Sequence, residues 1–257
     1  MLKKFQELTD SQWEYLTIFL PVQRKRKINL RSVVNAILKV LTTGMQWRNL
    51  DDKYPDWTAV YYYFYRWGKD GTLDDLLIGF NEIERECWGK EPSPSLVCVD
   101  SQSVKSVPFV HEDKGVDGNK KVKGRKRQVL VDTFGLVWAV FVHAANGSDT
   151  MAGQELLKGL PERLNRVKKI LVDGGYKGAF VAAGEKLGIE VEISSRPETS
   201  KGFVPLKWRW VSERTFGWFN FNRRLDKERE KTAQSSENWI KWANIKLIIN
   251  RLEYWQY

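Results

Sequence analysis

Cysteine and histidine are scarce. The 257 residues contain two cysteines, Cys87 and Cys98, and two histidines, His111 and His143. Two cysteines cannot build a disulfide framework or a cysteine-rich zinc site, and two histidines are too few for a histidine-rich metal centre. The expected setting is a reducing compartment. The longest apolar run, around Leu136–Ala145, is too short to span a bilayer. The first ten residues, MLKKFQELTD, lack the apolar core of a signal peptide. A cytoplasmic protein with no membrane partner is expected.

Acidic residues are outnumbered. Lysine and arginine total 42 against 32 aspartates and glutamates, a net charge of +10. That surplus favours a polyanionic partner such as nucleic acid. Twelve tryptophans are available to stack on bases or to fill a core.

Residues 1–92 read as helical. Thr9 or Asp10 caps a helix through Trp13, Leu16 and Phe19 that stops at Pro21. Val33, Val34, Ile37, Leu38 and Leu41 form the stripe of a second helix. Asp56-Trp57-Thr58 opens a third through Val60, Phe64 and Trp67, and a fourth runs from about Leu73 to Ile83. Short helices with brief turns suggest a helix-turn-helix-like DNA-binding domain, with Tyr62 and Arg66 on the solvent face of its aromatic helix. The alternative is a plain bundle with an aromatic core.

After the linker Gly89–Ser95 the period changes. Leu96–Val104, Arg127–Asp132 and Leu136–His143 read as strands, the last two joined by a hairpin turn at Thr133–Gly135. Then come a helix at Thr150–Leu160, a strand at Lys169–Asp173, a helix at Gly178–Leu187 and a strand at Ile189–Ile193. A long helix at Arg209–Arg229 and another from Ser236 to about Tyr254 complete the chain. Three meandering strands followed by alternating helices and strands predict an α/β domain with an RNase H-like mixed five-stranded sheet and flanking helices, over residues 93–257.

In such an order the first and fourth strands lie side by side, which brings Asp100 and Asp173 together. Converging aspartates repel unless a cation lies between, and hard divalent ions prefer oxygen ligands. Glu213 is the best third carboxylate. Arg209, Glu213, Gly217, Asn220 and Arg224 share one polar helix face in this reading, and Gly217 would permit a close approach. Between the strands lies Lys120-Lys121-Val122-Lys123-Gly124-Arg125-Lys126-Arg127, either a solvated loop or a phosphate-holding one.

Five ordered blocks carry a resemblance: Val99-Asp-Ser-Gln-Ser-Val-Lys105, Gly118 to Arg127, Val131-Asp-Thr-Phe-Gly135, Val172-Asp-Gly-Gly-Tyr-Lys-Gly178 and Trp210 to Trp218. Together with Gly44-Met-Gln-Trp-Arg48, Pro55 to Val60 and Asp70-Gly-Thr72, they make the chain resemble a bacterial insertion-sequence DDE transposase of the compact subgroup. The resemblance implies that Asp100, Asp173 and Glu213 are the catalytic, metal-binding triad. It implies Mg²⁺ or Mn²⁺, two ions per site. It also implies cleavage and strand transfer at terminal inverted repeats by a homodimer or larger assembly on DNA, nucleoid-associated when bound. Candidate DNA contacts are Lys105, Lys120, Lys121, Lys123, Arg125, Lys126, Arg127, Arg209, Arg223 and Arg224, with Trp57, Thr58, Tyr62 and Arg66 from the N-terminal helices. The family's extended glutamate motif has a tyrosine where Leu206 stands and a lysine where Asn220 stands. Two alternatives are an RNase H-like nuclease or resolvase without strand transfer, and a non-catalytic DNA-binding descendant.

Overall fold

The computed structural model describes residues 5–23, 25, 27–194 and 209–252. Four helices come first: α1 (Asp10–Phe19), α2 (Leu30–Thr43), α3 (Trp57–Lys69) and α4 (Thr72–Cys87). Their starts are capped as the sequence requires. The Thr9 hydroxyl accepts from the Gln12 N–H while the Gln12 side chain accepts from the Thr9 N–H, and Asn29 and Asp56 cap α2 and α3. Helix α2 ends at Gly44, which has φ 71° and lies against the Arg223 backbone, so a side chain there would meet both strain and crowding.

The second half runs β1 (Leu96–Lys105), β2 (Gly115–Asp117), β3 (Val122–Asp132), β4 (Val137–Ala144), α5 (Asp149–Leu157), α6 (Leu160–Arg163), β5 (Lys169–Val172), α7 (Ala179–Lys186), β6 (Glu190–Ile193), α8 (Arg209–Phe219) and α9 (Ala233–Leu252). The sheet order is β2-β3-β1-β5-β6, with β4 also paired to β3. β1, β3 and β4 are antiparallel, and β5 and β6 are parallel to β1. This is the expected RNase H-like arrangement with one strand more. The sixth strand is the three-residue β2, too short to show a period, which pairs with the start of β3. The hairpin after β3 turns on Gly135 at φ 79°, and buried Asp132, paired with Arg85 at 2.7 Å, accepts the N–H groups of Phe134 and Leu136. No helix among the described residues is long and apolar enough to cross a membrane.

The expected helix over Arg209–Arg229 is half that length. After Phe219 the backbone tightens into three-residue bonds, with Asn220, Phe221 and Asn222 donating to Gly217, Trp218 and Phe219. Arg223 and Arg224 then donate to the carbonyls of Thr42 and Leu41, the last turn of α2. Capping a neighbouring helix replaces continued helix here.

Two cores flank the sheet. Val97, Val99, Leu130, Ile170 and Val172 face α5 and α7, while Cys98, Val129, Val131 and Leu171 face α8, α9 and the N-terminal helices. Helix α9 is the common element. Trp239, Trp242, Ile245 and Ile248 are fully buried on it, well beyond the single stripe that the sequence predicts. Trp47 stacks on Trp239 with ring centres 5.3 Å apart, and Phe64 lies 4.4 Å from the same ring. One apolar cluster therefore runs from Leu8 to Leu252, across the expected boundary at residues 92 and 93.

Helix α9 also closes the outer edge of β4. Asn244 accepts the Val137 N–H at 2.9 Å, and Glu237 accepts the Val142 N–H at 2.9 Å. Burial pushes the Glu237 carboxyl up to about 7, against the pull of the Val142 N–H and Lys241. The folded chain therefore holds this proton more tightly than the unfolded chain. The resulting stability is full below the ordinary value of 4.5 and is lost as pH rises through about 7. Glu237→Gln keeps an acceptor for Val142 but has no proton to lose. Urea unfolding of this variant and the parent should diverge in the variant's favour as pH rises from about 5 to about 8. Parallel curves would exclude Glu237 as the source.

A buried ionic cluster ties the chain after α8 to the sheet. Glu228 lies between Arg125 at 3.6 Å and Arg127 at 3.5 Å, all three almost completely buried. Ser236 donates to Glu228 at 2.6 Å, and Arg224 pairs with Glu230 at 2.6 Å. Glu228→Ala would leave two buried guanidinium groups without their counter-charge. A loss of about 3–5 kcal/mol in unfolding free energy is expected in a denaturant titration, where a loss below about 1 kcal/mol would contradict the cluster's role.

Candidate active site

Strand register brings the two aspartates together. β1 and β5 run parallel with Leu96 beside Lys169, Val97 beside Ile170 and Cys98 beside Leu171. Carried two places further, the same register sets Asp173 beside Asp100. Alternation puts both on the face of Cys98 and Leu171, the side covered by α8. Asp173 follows the end of β5 as expected. Asp100 instead sits mid-strand, because β1 continues to Lys105 along β3. Each carboxylate accepts a nearby backbone N–H: Asp100 from Ser101 at 2.7 Å and Asp173 from Gly175 at 2.8 Å. A small open cleft is lined by Cys98, Asp100, Leu171, Asp173 and, from α8, Ser212.

Glu213 follows Ser212 on the exposed flank of α8. Among the described residues no three histidine, cysteine, aspartate or glutamate side chains are already gathered into a metal cage. Two half-buried carboxylates lining one cleft, with a third on the helix above them, still match the hard oxygen donors that Mg²⁺ or Mn²⁺ takes. Gly217 is exposed, with no neighbouring atom within 4 Å of where a Cβ would stand, so the chain itself makes no close approach there.

Sequence reasoning missed a polar network beside the aspartates. Gln128 donates to Asp149 at 2.7 Å, and Lys126 pairs with Asp149 at 3.1 Å. The Tyr176 hydroxyl donates to Gln128, and the Thr150 hydroxyl donates to the Gly175 carbonyl at 2.9 Å. A Cβ on Gly175 would stand 2.9 Å from an Asp173 oxygen and 3.8 Å from an Asp149 oxygen, so both carboxylates flank that glycine. Asp149 had one signal, an acidic residue in the first turn of α5. That is more often a dipole partner than a site residue.

The basic run divides in two, which corrects the reading of it as one phosphate-holding loop. Arg125, Lys126 and Arg127 lie inside β3 and are buried. Arg125 donates to the carbonyls of Glu112, Glu230 and Lys231, and Arg127 to that of Leu225. Committed to the interior, these three present no surface to DNA. Lys120, Lys121 and Lys123 are exposed around the β2–β3 hairpin, and Lys105 is exposed at the end of β1. Asp117 fixes the hairpin by accepting the N–H groups of Asn119 and Lys120 at 3.0 Å and the Ser103 hydroxyl, bonds that hold its carboxyl down at about 2. Lys121 takes φ 53°, and the Lys120 ammonium reaches the Ser101 carbonyl at 3.4 Å.

Arg224 also turns inward, with Glu230 as its ion-pair partner, whereas Arg223 is exposed. Because α8 stops at Phe219, Asn220 and Arg224 do not continue the face of Glu213. Leu206 lies outside the described residues, as does the side chain of Arg209.

Two family models match the chain in tandem. The model described as "Transposase DDE domain" matches residues 91–249, more than half of the chain. The chain belongs to the DDE transposase family. The model described as "Putative transposase of IS4/5 family" matches residues 8–77 of this chain. An uncharacterised protein, y4sN, of Sinorhizobium fredii strain NBRC 101917 / NGR234 is 36% identical over 74 residues, which are 27% of this chain and 59% of that relative. The chain therefore spans about three-fifths of the curated relative that it matches. Similar solved structures include a Mos1 strand transfer complex, at 15% identity and TM-score 0.35, covering 90% of this chain and 78% of that one. A Mos1 mariner paired end complex with Mn has 14% identity and TM-score 0.33, covering 94% and 84%. A piggyBac transposase synaptic complex with hairpin DNA has 12% identity and TM-score 0.37, covering 94% and 70%.

In the N-terminal helices, Thr58, Tyr62 and Arg66 share the exposed side of α3. Arg66 donates to the Tyr62 hydroxyl at 2.9 Å and pairs with Asp70 at 3.3 Å. Trp57 is half-buried, with the Arg48 guanidinium 5.5 Å from its ring centre. The opposite side of α3, Val60, Phe64 and Trp67, is buried against α9.

Proposed function

We propose that this chain binds the terminal inverted repeats of an insertion sequence and catalyses metal-dependent DNA cleavage and strand transfer. The observation that carries the reading is one cleft lined by Asp100, by Asp173 and by Ser212 of the helix that bears Glu213, beyond the paired residues of β1 and β5. Asp100, Asp173 and Glu213 would hold Mg²⁺ or Mn²⁺, two ions per site. Bound divalent ions supply the Lewis acidity that activates the attacking oxygen and offsets charge on the phosphodiester. The chain's own part is to position. The sheet would hold two carboxylates, and α8, whose Ser212 lines the cleft, would bring the third. Lys105, Lys120, Lys121, Lys123 and Arg223 would meet DNA phosphates, with Arg209 at the start of α8. Thr58, Tyr62 and Arg66, flanked by Trp57, form the candidate repeat-reading face of residues 1–92. Residues 93–257 form the catalytic part. The working form is a homodimer or larger assembly on DNA, in the bacterial cytoplasm and at the nucleoid.

Asp100→Asn should abolish Mg²⁺-dependent cleavage of a duplex carrying the element's terminal repeat while leaving binding of that duplex largely intact. Retained cleavage sinks the assignment. Cleavage without joined products on a plasmid target favours a nuclease or resolvase, and repeat binding without cleavage or metal binding favours a non-catalytic descendant. Lys120→Ala with Lys123→Ala should weaken DNA binding and reduce the slope of log affinity against log salt by about 2. An unchanged slope would remove the hairpin from the interface.

A further inference from the structure

The Tyr176 hydroxyl occupies a special place relative to the two aspartates. It sits three residues beyond Asp173, at the end of the turn that leaves β5. It donates to Gln128 on β3, which stands opposite Ser101 on β1, next to Asp100. One buried oxygen thus ties the turn that follows Asp173 to the strand paired with the one that bears Asp100. Its ring is fully buried, in edge contact with Phe180 at 5.2 Å, so the hydroxyl has little freedom. Burial, with Asp100 and Asp149 nearby, raises its pKa well above the ordinary value, so the hydroxyl keeps its proton and remains a donor. Two further contacts hold the same assembly from α5: Asp149 accepts from Gln128, and Thr150 donates to Gly175.

We infer that Tyr176 is a positioning residue that sets the spacing of Asp100 and Asp173 through Gln128, and with it the affinity of the site for a divalent cation. The inference rests on the proposed metal-binding role of those aspartates. Two neighbouring carboxylates repel one another, and without a clamp the turn after β5 would let Asp173 swing away from Asp100. Neutral hydrogen bonds can hold the turn without neutralising the carboxylates, which must stay charged to attract a cation. Groups that orient metal ligands in this way commonly contribute 10–100-fold in metal affinity.

The test is a Mn²⁺ titration followed by electron paramagnetic resonance on the full chain, free and bound to duplex DNA, with cleavage assayed in parallel. Tyr176→Phe should raise the Mn²⁺ dissociation constant about tenfold or more, while cleavage at saturating Mn²⁺ returns to within a few-fold of the parent. Thr150→Val removes the α5 contact to the same turn with little threat to folding and should shift the same constant in the same direction. Unchanged Mn²⁺ affinity in both variants overturns the clamp, even if Tyr176→Phe melts at a lower temperature. A parent chain that binds Mn²⁺ through Asp100 and Asp173 but cleaves nothing defeats the catalytic reading and leaves the clamp standing. A parent that binds no Mn²⁺ overturns both.

Discussion

The arrangement of the sheet-bearing half depends on one buried carboxylate. Glu228 meets Arg125 and Arg127 in the middle of β3 and accepts from Ser236 at the start of α9. Its backbone extends the end of β1: the Glu228 N–H donates to Lys105, and its carbonyl accepts from Val107. One residue therefore connects the strand that bears Asp100, the central strand β3 and the chain between α8 and α9. The position of α8 over the cleft follows from this anchorage, because the segment leaving α8 is fixed within a few residues. An ion pair taken from water adds little net stability, but it rejects alternatives in which the charges lack partners. That is what a helix needs if one of its side chains must stand over two others on a sheet.

The same cluster explains where sequence reading succeeded and failed. The element order, the pairing of β1 with β5 and the convergence of Asp100 with Asp173 were legible, because apolar runs ending in aspartate and the helix–strand alternation are local signals. The partition of the basic run was not. Arg125 and Arg127 differ from Lys120 and Lys123 in having buried glutamates and carbonyls to meet, and those partners are about a hundred residues away. The early end of α8 was equally hidden, since it depends on Thr42 and Leu41 of α2 offering carbonyls. β2 is too short to carry a pattern, and Gln128 and Tyr176 look like ordinary strand and turn residues until the hydroxyl and amide are seen to meet.

Helix α9 bears on how the two halves work together. Its indoles meet Trp47, Phe64 and Trp67 on one side, and its Glu237 and Asn244 bond the backbone of β4 on another. Gly68 on α3 lets Asn238 approach so closely that a Cβ would stand 2.0 Å from its amide nitrogen. Helices packed at that distance move as one body, not as modules on a tether. A helix that reads DNA on α3 would then hold a set orientation to the cleft. Spacing between a recognised sequence and the cut would follow from the packing of α9, not from the length of the linker.

The surroundings of the aspartates follow a consistent electrostatic logic. A strongly basic chain has many cations with which to neutralise two carboxylates, and doing so would cost it the attraction for a divalent ion. The nearby lysine of the interior, Lys126, is instead bonded to Asp149, on the opposite face of β3 from the arginines. Lys120 reaches the Ser101 carbonyl, not a carboxylate. The contacts that orient the aspartates include backbone N–H groups and, at one remove, a tyrosine hydroxyl and a glutamine amide, all neutral. Neutral contacts of this kind set geometry without removing charge, which is what the proposed cation site would require.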